Sequence, residues 1–326
     1  MFLSPQYLGH SMNNAKDIPF AAGYAMSIYF IIRFLESLPK PSLKTTIFLI
    51  IGIGFTCSNK INGIILFAYL VFFHLVAWVH YSYKNKSLKT TTALIIPYAY
   101  RLLIVFIGSL LVAIAVWPYA QQNVISHIWE SFKTFEQIGR LMIHYELFEG
   151  IRMNMENVPW YYTFKMMLIT IPLFILFGFL IFFTLVFWLR KKYNLPLVGL
   201  LLFVTFVPIL YAIYQHSKLY NGWRHFLFIY PTFVVMAVAG WEFLFTLLNK
   251  KIIKYIGPFI LLLLTLKTSV WMIKNHPNEV VYFNEFTGGV DGAYTYYETD
   301  PLTNCGREAI EWLCSNVDVR SKKILV

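Results

Sequence analysis

Residues 44–80 read KTTIFLIIGIGFTCSNKINGIILFAYLVFFHLVAWVH, an apolar stretch that is interrupted once, by a polar group around Asn59 and Lys60. A helix needs about 20 residues to cross the roughly 30 Å hydrocarbon core of a bilayer, so this stretch is too long for one crossing. The polar group, followed by Gly63, is typical of a turn. We therefore predict two spans, 44–58 and 61–80. The first is short for a span, and a tilted, broken or re-entrant helix stays an alternative.

Similar apolar stretches recur along the whole chain of 326 residues, of which 58% are hydrophobic and 13% charged. Soluble domains are about half apolar and about a quarter charged. The composition excludes an ordinary soluble enzyme, a disordered chain and a nucleic-acid-binding protein. We predict an all-α polytopic membrane protein with about eight transmembrane helices. The predicted spans are 19–37, 44–58, 61–80, 97–116, 162–189, 195–214, 226–248 and 256–273.

The charged residues divide unevenly between the two sides of these spans. If the spans alternate, four connections on one side carry eleven basic residues and no acidic one, whereas the other side carries twelve basic and fourteen acidic residues. An excess of Lys and Arg marks the cytoplasmic face. The net charge of +11 is thus a topology signal rather than a sign of nucleic acid. The basic residues of the cytoplasmic side are Lys40, Lys44, Lys84, Lys86, Lys89, Arg190, Lys191, Lys192, Lys250, Lys251 and Lys254.

We divide the chain into a transmembrane core, 1–273, and the start of a soluble extracytoplasmic C-terminal domain, 274–326. Within the core, the outer loop 117–161 reads as one or two surface helices whose acidic residues are solvated. In the C-terminal part we predict a helix at 305–316 and a strand at 322–326. Because a single strand has no partner, we expect the chain to be a fragment.

Polar and aromatic groups concentrate on the outer side. A transporter is expected to place polar groups at mid-span, whereas here Glu242 lies deep in its span and Lys267 is expected to reach outward. This distribution favours chemistry at the outer membrane boundary over conduction. The groups are Gly9 to Phe20, Asn59-Lys60, Pro159 to Tyr162, Tyr220 to His225, and His276 to Gly289.

In their order along the chain, several of these groups resemble segments of the GT-C membrane glycosyltransferases, and most closely the protein-O-mannosyltransferase and aminoarabinose-transferase-like group (glycosyltransferase family 39-like). In that group an outward-facing Asp stands directly before a span, and Asp17 matches it. The matching segments are Ser4-Pro5, Gly9-His10, Asn14, Lys16-Asp17 and Pro19-Phe20-Ala21; Pro159-Trp160-Tyr161-Tyr162 with Ile171-Pro172-Leu173; Tyr220 to Phe228 with Pro231; and His276-Pro277, Tyr282-Phe283-Asn284 and Gly288-Gly289.

The resemblance implies a GT-C-like fold and an enzyme, a hexosyl or pentosyl transferase. It would move a sugar from a polyprenyl phosphate to a lipid, glycan or protein acceptor. The site would face outward, in a bacterial inner membrane rather than the endoplasmic reticulum. The family's main catalytic acid belongs to an earlier loop, so we expect this fragment alone to be inactive and its N-terminal spans to be missing. The alternative is a non-catalytic transporter, flippase or scaffold for polyprenyl-linked glycans.

By this resemblance Asp17 is the catalytic candidate, and it would orient the acceptor or a metal ion. The alternative is a helix N-cap, since Asp before Ile18-Pro19 is a good helix start. Lys16 is a substrate-binding candidate or a solvated neighbour. No other cofactor than a divalent cation is suggested, and the histidines and cysteines lack metal-ligand spacing.

Arg224, His225 and Lys60 are candidates for binding the donor's phosphate. The planar guanidinium of Arg224 suits phosphate oxygens. The alternatives are an interfacial anchor beside Trp223 and Tyr220, which are typical of the aromatic belt, and for Lys60 an ordinary lysine that reaches the interface. Tyr220 is also kept as a substrate-binding candidate.

Trp160 and Tyr161, together with the adjacent Tyr162, are candidates for stacking against a sugar ring. Three aromatic residues at the mouth of a span are equally typical of an aromatic belt. No phosphate-binding loop or dinucleotide motif is present, which disfavours a nucleotide-sugar donor.

Overall fold

The computed structural model of the chain describes residues 1–38, 40–85, 95–141, 145–189, 195–247 and 251–317. Parts of the predicted basic connections and the predicted strand 322–326 lie outside these ranges. Most of the described residues are α-helical. This agrees with the predicted all-α class.

The α-helices of the described residues are numbered in chain order. They are α1 (Pro5–Asn13), α2 (Asp17–Glu36), α3 (Leu43–Asn59), α4 (Ile65–Asn85), α5 (Ile95–Ala115), α6 (Pro118–Gln122), α7 (Val124–Leu141), α8 (Tyr162–Thr170), α9 (Leu173–Leu189), α10 (Leu195–Tyr214), α11 (Tyr230–Leu247), α12 (Lys251–Asn275), α13 (Gly289–Ala293) and α14 (Gly306–Asn316). Short 3-10 helices occupy Ile61–Ile64, Arg224–Ile229, Glu279–Val281 and Glu285–Thr287. An antiparallel hairpin pairs β1 (Tyr145–Phe148) with β2 (Ile151–Asn154).

Eight apolar helical segments coincide in position with the eight predicted spans. Five of them are long and apolar enough to cross a membrane: Asp17–Glu36, Ile61–Val79, Pro196–Tyr214, Arg224–Leu247 and Ile256–Asn275. Three are shorter: Leu43–Asn59, Ala99–Ala115 and Leu173–Val186. The chain is thus a helical protein with the features of a membrane protein. That all eight segments cross the bilayer stays a prediction.

The predicted span 162–189 is divided between two helices, α8 and α9, on either side of Ile171 and Pro172. Pro172 has no N–H to donate, and a proline disfavours the helical conformation of the residue before it, so α8 ends and α9 begins around it. The side-chain amide of Asn284 donates to the carbonyl oxygens of Leu168 (2.7 Å) and Ile171 (2.8 Å). Asn284 is buried, so it satisfies carbonyl groups that would otherwise lack a partner at the break.

Helices α9 and α11 pack through two glycines. A Cβ at Gly240 would collide with the carbonyl oxygen of Gly178, and a Cβ at Gly178 would lie 2.6 Å from the carbonyl oxygen of Ala237. Small residues allow membrane helices to approach closely and to gain dispersion contacts. The indole of Trp241 adds a hydrogen bond to the carbonyl oxygen of Phe174 (2.8 Å). These contacts hold the first turns of α9 against the later turns of α11.

The outer loop 117–161 contains the predicted helices, which are α6 and α7. It also contains the hairpin of β1 and β2, which was not predicted. The predicted helix 305–316 is confirmed as α14. Between them, 279–297 packs on the membrane helices, and Val280, Phe283 and Tyr297 are buried. The hairpin and this segment therefore cover one end of the helical core.

The aromatic core at that end joins elements that are distant in sequence. It includes Phe148, Tyr162, Trp223, Tyr230, Phe283 and Tyr297. Tyr230 stacks on Tyr7 of α1 with ring centroids 5.4 Å apart, and its hydroxyl is hydrogen-bonded to Ser4. The candidate functional site lies beside this core.

Candidate functional site

Asp17 begins α2, and its side chain faces the protein. The Asp17 side chain does not cap the helix, as one alternative predicted. The side chain of Asn14 caps it instead, since its oxygen accepts from the Asp17 N–H (2.9 Å). The Asn14 amide also donates to Asp17 Oδ2 (2.7 Å). The residue is buried. Its carboxylate is thereby held in one orientation and directed toward cations.

Lys60 directly follows α3, and its ammonium group forms an ion pair with Asp17 Oδ1. The same ammonium lies 5.5 Å from the centre of the Phe20 ring, a distance at which a cation is attracted to an aromatic face. Burial lowers the pKa of Lys60, while the hydrogen bond and the charge of Asp17 oppose that change. The lysine therefore turns inward to the carboxylate and does not extend freely to the interface.

Arg224 is the second cation of the cluster. Its Nε lies 3.7 Å from Asp17 Oδ2, and its guanidinium carbon lies 5.1 Å from the centre of the Tyr220 ring. Nε is buried and donates no hydrogen bond. A guanidinium has five N–H donors in a planar fork, so Arg224 retains donor capacity that Asp17 does not use.

Glu146 holds the loop 215–223, which directly precedes Arg224 and is called the Arg224 loop below. Its carboxylate accepts from the backbone N–H groups of Asn221 (2.8 Å) and Gly222 (3.2 Å) and from the Tyr162 hydroxyl. Asn221 and Gly222 both have positive φ, 55° and 65°. A residue with a Cβ, such as Asn221, rarely adopts this backbone conformation without support. The carboxylate supplies this support.

The expectation that the acidic residues of 117–161 are solvated is therefore wrong for Glu146, which is 1% exposed. The predicted stacking of Tyr162 on a sugar ring does not fit either. Tyr162 is fully buried, and its hydroxyl is engaged as a donor to the Glu146 carboxylate. A lone Glu among several surface acids carries no sequence signal of this role.

Trp223 was predicted to lie in an aromatic belt, and this is also wrong. It is buried at 3% exposure, and its indole N–H donates to Thr170 Oγ1 (2.8 Å). The hydroxyl comes from the last turn of α8, directly before the break. Trp223 therefore fixes the Arg224 loop to the protein interior and does not anchor it in the lipid interface.

The remaining predicted residues fall in two places. Lys16 is exposed beside Asp17, and His225 packs edge-on against Tyr220 with ring centroids 4.7 Å apart. Nε2 of His225 is buried without a hydrogen bond. By contrast, Trp160 is 68% exposed and contacts Tyr161, whose hydroxyl donates to Glu149 of the hairpin (3.0 Å). Among the described residues, these two aromatics contact the hairpin and each other rather than the Asp17 cluster.

A small cleft of about 20 Å³ adjoins the cluster, with room for about one water molecule. His10 lines it, and burial lowers the pKa of His10 to about 4, although Asp17 opposes this shift. Most of the residues that line the cleft come from α1, the residues 221–227 and the segment 298–301. They are Gln6, His10, Met166, Asn221, Gly222, Trp223, Arg224, Leu227, Val280, Glu298, Thr299 and Pro301.

Among the described residues, no group of three or more His, Cys, Asp or Glu side chains is placed to hold a metal ion. The single carboxylate of Asp17 is instead engaged by Lys60 and Asn14. The arrangement is a cluster of two cations, Lys60 and Arg224, around the single carboxylate of Asp17.

No protein-family model, no curated protein and no solved structure matches the chain.

Proposed function

We propose that the chain is a membrane glycosyltransferase of the GT-C type, which moves a sugar from a polyprenyl-phosphate donor to a lipid, glycan or protein acceptor on the extracytoplasmic face. In this proposal all eight apolar segments cross the membrane. The Asp17 cluster then lies at their outer ends, within reach of a lipid headgroup.

The observation that carries the proposal is the charge of the cluster. Lys60 and Arg224 share one carboxylate, so the three groups together carry one positive charge, and Lys16 adds another nearby. A phosphodiester carries one negative charge and offers oxygen acceptors that suit a guanidinium. The unused Nε donor of Arg224 is a suitable contact for such an oxygen.

The convergence of distant segments supports the same proposal. Asp17, Lys60 and Arg224 come from three separate parts of the sequence and meet at one place. The segment 276–289 packs next to them through Val280, which lines the cleft. Three of the segments on which the resemblance rests, around Asp17, Arg224 and Val280, are thus neighbours in space.

The roles follow from these contacts. Arg224 and Lys60 bind the phosphate and stabilise the negative charge that grows on it as the sugar leaves. Asp17 orients both cations, because Oδ1 pairs with Lys60 and Oδ2 lies 3.7 Å from Arg224 Nε. Tyr220 supports the guanidinium from its ring face.

Lipid binding is tested with the full chain in detergent micelles, by measuring the retention of undecaprenyl phosphate against that of the uncharged undecaprenol. Charge-assisted hydrogen bonds are worth about 1.5–3 kcal/mol. Arg224→Ala should therefore weaken binding of the phosphate roughly ten- to a hundredfold, and Arg224→Lys should weaken it less. Binding of undecaprenol should change in neither variant.

Arg33→Ala is the matched control, since Arg33 lies near the other end of α2 and pairs with Glu36 on the surface. Equal loss of both lipids in Arg224→Ala would mean that the cluster supports the fold rather than a phosphate. Phosphate-selective binding together with movement of the lipid phosphate between the two leaflets of a vesicle would instead favour the flippase alternative.

A further inference from the structure

Helix α7 has two chemically distinct faces. Asn123 precedes it, and its side-chain oxygen accepts from the Ser126 N–H (3.2 Å). At about 100° per residue, the apolar residues of 124–134 fall within one arc of roughly 140°, and the polar residues occupy the rest. The apolar set is Val124, Ile125, Ile128, Trp129 and Phe132.

The polar face contacts the neighbouring helix α6. The ring of Tyr119 in α6 stacks on His127 with centroids 4.0 Å apart, and its hydroxyl donates to Glu130 Oε2 (2.6 Å). The apolar face is instead open: Ile125 is 85% exposed and Trp129 62%. An exposed apolar face differs from that of a helix on a soluble protein, which turns inward.

The position of α7 in the chain indicates what covers this face. The side chain of Gln121 in α6 donates to the carbonyl oxygens of Ile114 (3.0 Å) and Ala115 (2.8 Å), which end the apolar helix α5. Leu111, one turn earlier in α5, is 63% exposed. An apolar surface of α5 thus reaches the point where α6 and α7 are attached.

The composition of the face points to a lipid interface. The ammonium of Lys133 lies 5.6 Å from the centre of the Trp129 ring, at the edge where the two faces meet. Amphipathic helices with Trp, Phe and aliphatic residues on one face and cations beside it lie in the plane of a membrane surface. We propose that α7 lies in the bilayer surface, with its apolar face among the lipid headgroups and the upper acyl chains.

This placement concerns the same side of the molecule as the Asp17 cluster. Residues 141 and 145 are separated by at most about 14 Å of extended chain. Glu146, the next residue, accepts from the Asn221 N–H, which is close to Arg224 in sequence. A surface helix here therefore defines the level of the headgroups beside the cluster. The inference holds for any function of the chain.

The test uses nitroxide spin labels on the full chain, reconstituted in phosphatidylcholine vesicles. The free cysteines Cys57, Cys305 and Cys314 are first replaced by Ser. Single cysteines then replace Ile125 and Phe132 on the apolar face. Glu130 and Thr134 on the polar face serve as matched controls. Oxygen concentrates in lipid and a nickel chelate stays in water, so the ratio of their collision rates measures depth.

We expect the ratio of oxygen to nickel accessibility to be several-fold higher at the two apolar positions than at the two controls, with a depth of about 5–10 Å. Free access of nickel at the apolar positions would overturn the proposal, since the face would lie in water. Immobilised labels with low access of both reagents would overturn it too, since protein, such as a second copy of the chain, would cover the face.

A second measurement needs no label. The quenching of Trp129 by brominated phosphatidylcholine is obtained as the difference between the unaltered chain and Trp129→Phe. A difference of zero, in a variant that melts at the same temperature as the unaltered chain, would contradict insertion. Strong quenching of the Trp129 component would support it independently of the cysteine variants.

Discussion

Replacing Glu146 by Gln tests whether one buried carboxylate holds the loop before Arg224. The substitution preserves size and shape, but it replaces one of the two acceptor oxygens by an NH2 group. That group would face the N–H of Asn221 or Gly222, or the hydroxyl of Tyr162. Two donors cannot bond to each other, so at least one buried donor loses its partner.

The size of the effect follows from these contacts. A hydrogen bond to a charged group contributes about 1.5–3 kcal/mol. Gly222 retains part of its protection in Glu146→Gln, because its N–H also donates to the Tyr162 hydroxyl (2.9 Å). We therefore expect the loop to open more easily by about 2–3 kcal/mol, which corresponds to amide exchange roughly 30- to 160-fold faster.

Hydrogen exchange followed by mass spectrometry measures this directly for peptides that cover 218–224. Exchange should accelerate there, while the segment around Asn284 stays unchanged. Glu149→Gln is the control on the same hairpin, since Glu149 is partly exposed and contacts Tyr161 and Lys165 at the surface. Unchanged exchange at 218–224 in a correctly folded Glu146→Gln protein would refute the assignment of Glu146 as the support of the loop.

Three further predictions concern stability in detergent. Asn284→Ala leaves two buried carbonyl groups at the break between α8 and α9 without partners, at about 1–3 kcal/mol each; thermal melting should show a clear loss, and Asn284→Asp should not restore it, because Asp lacks the donor. Gly240→Ala should destabilise by about 1–3 kcal/mol through overpacking, whereas Gly199→Ala, with nothing within 4 Å of the new Cβ, should melt like the unaltered chain. Because the pKa of His10 falls from 6.5 to about 4 on folding, the unfolded chain binds the extra proton between these values; stability should be full above pH 6.5 and fall toward pH 4, by at most about 3 kcal/mol, and a melting series should show a shallower fall for His10→Gln.

The positions of the apolar helices could be predicted from the sequence because length and hydropathy decide them. The turn around Lys60 could also be predicted, since a polar group followed by Gly63 interrupts a long apolar stretch. The break before α9 was missed, although Pro172 signals it. In a membrane helix a proline is often tolerated, and the side chain that satisfies this break, Asn284, is distant in sequence.

Within the candidate site, the charged residues were predictable and their supports were not. Asp17 and Arg224 stood out because they lie in the segments that carry the resemblance, and Lys60 because it lies in a short turn between two apolar spans. Glu146 looked like any other surface acid, and Trp223 looked like a belt residue. Glu146 and Trp223 are buried because the hairpin, α8 and the Arg224 loop pack together. Contacts between such distant segments cannot be predicted from a local sequence pattern.

The contact of Asn284 with the break between α8 and α9 also constrains when the protein can be completed. Its amide reaches back 113 residues to the carbonyl of Ile171. At synthesis rates of about 5–20 residues per second, the chain spends roughly 6–20 s between making the two partners. Throughout that interval α9, α10, α11 and α12 are synthesised, while Asn284 is not yet present to donate to the carbonyl groups at the break. The final geometry of the first of these helices is therefore set only after the last of them has been made.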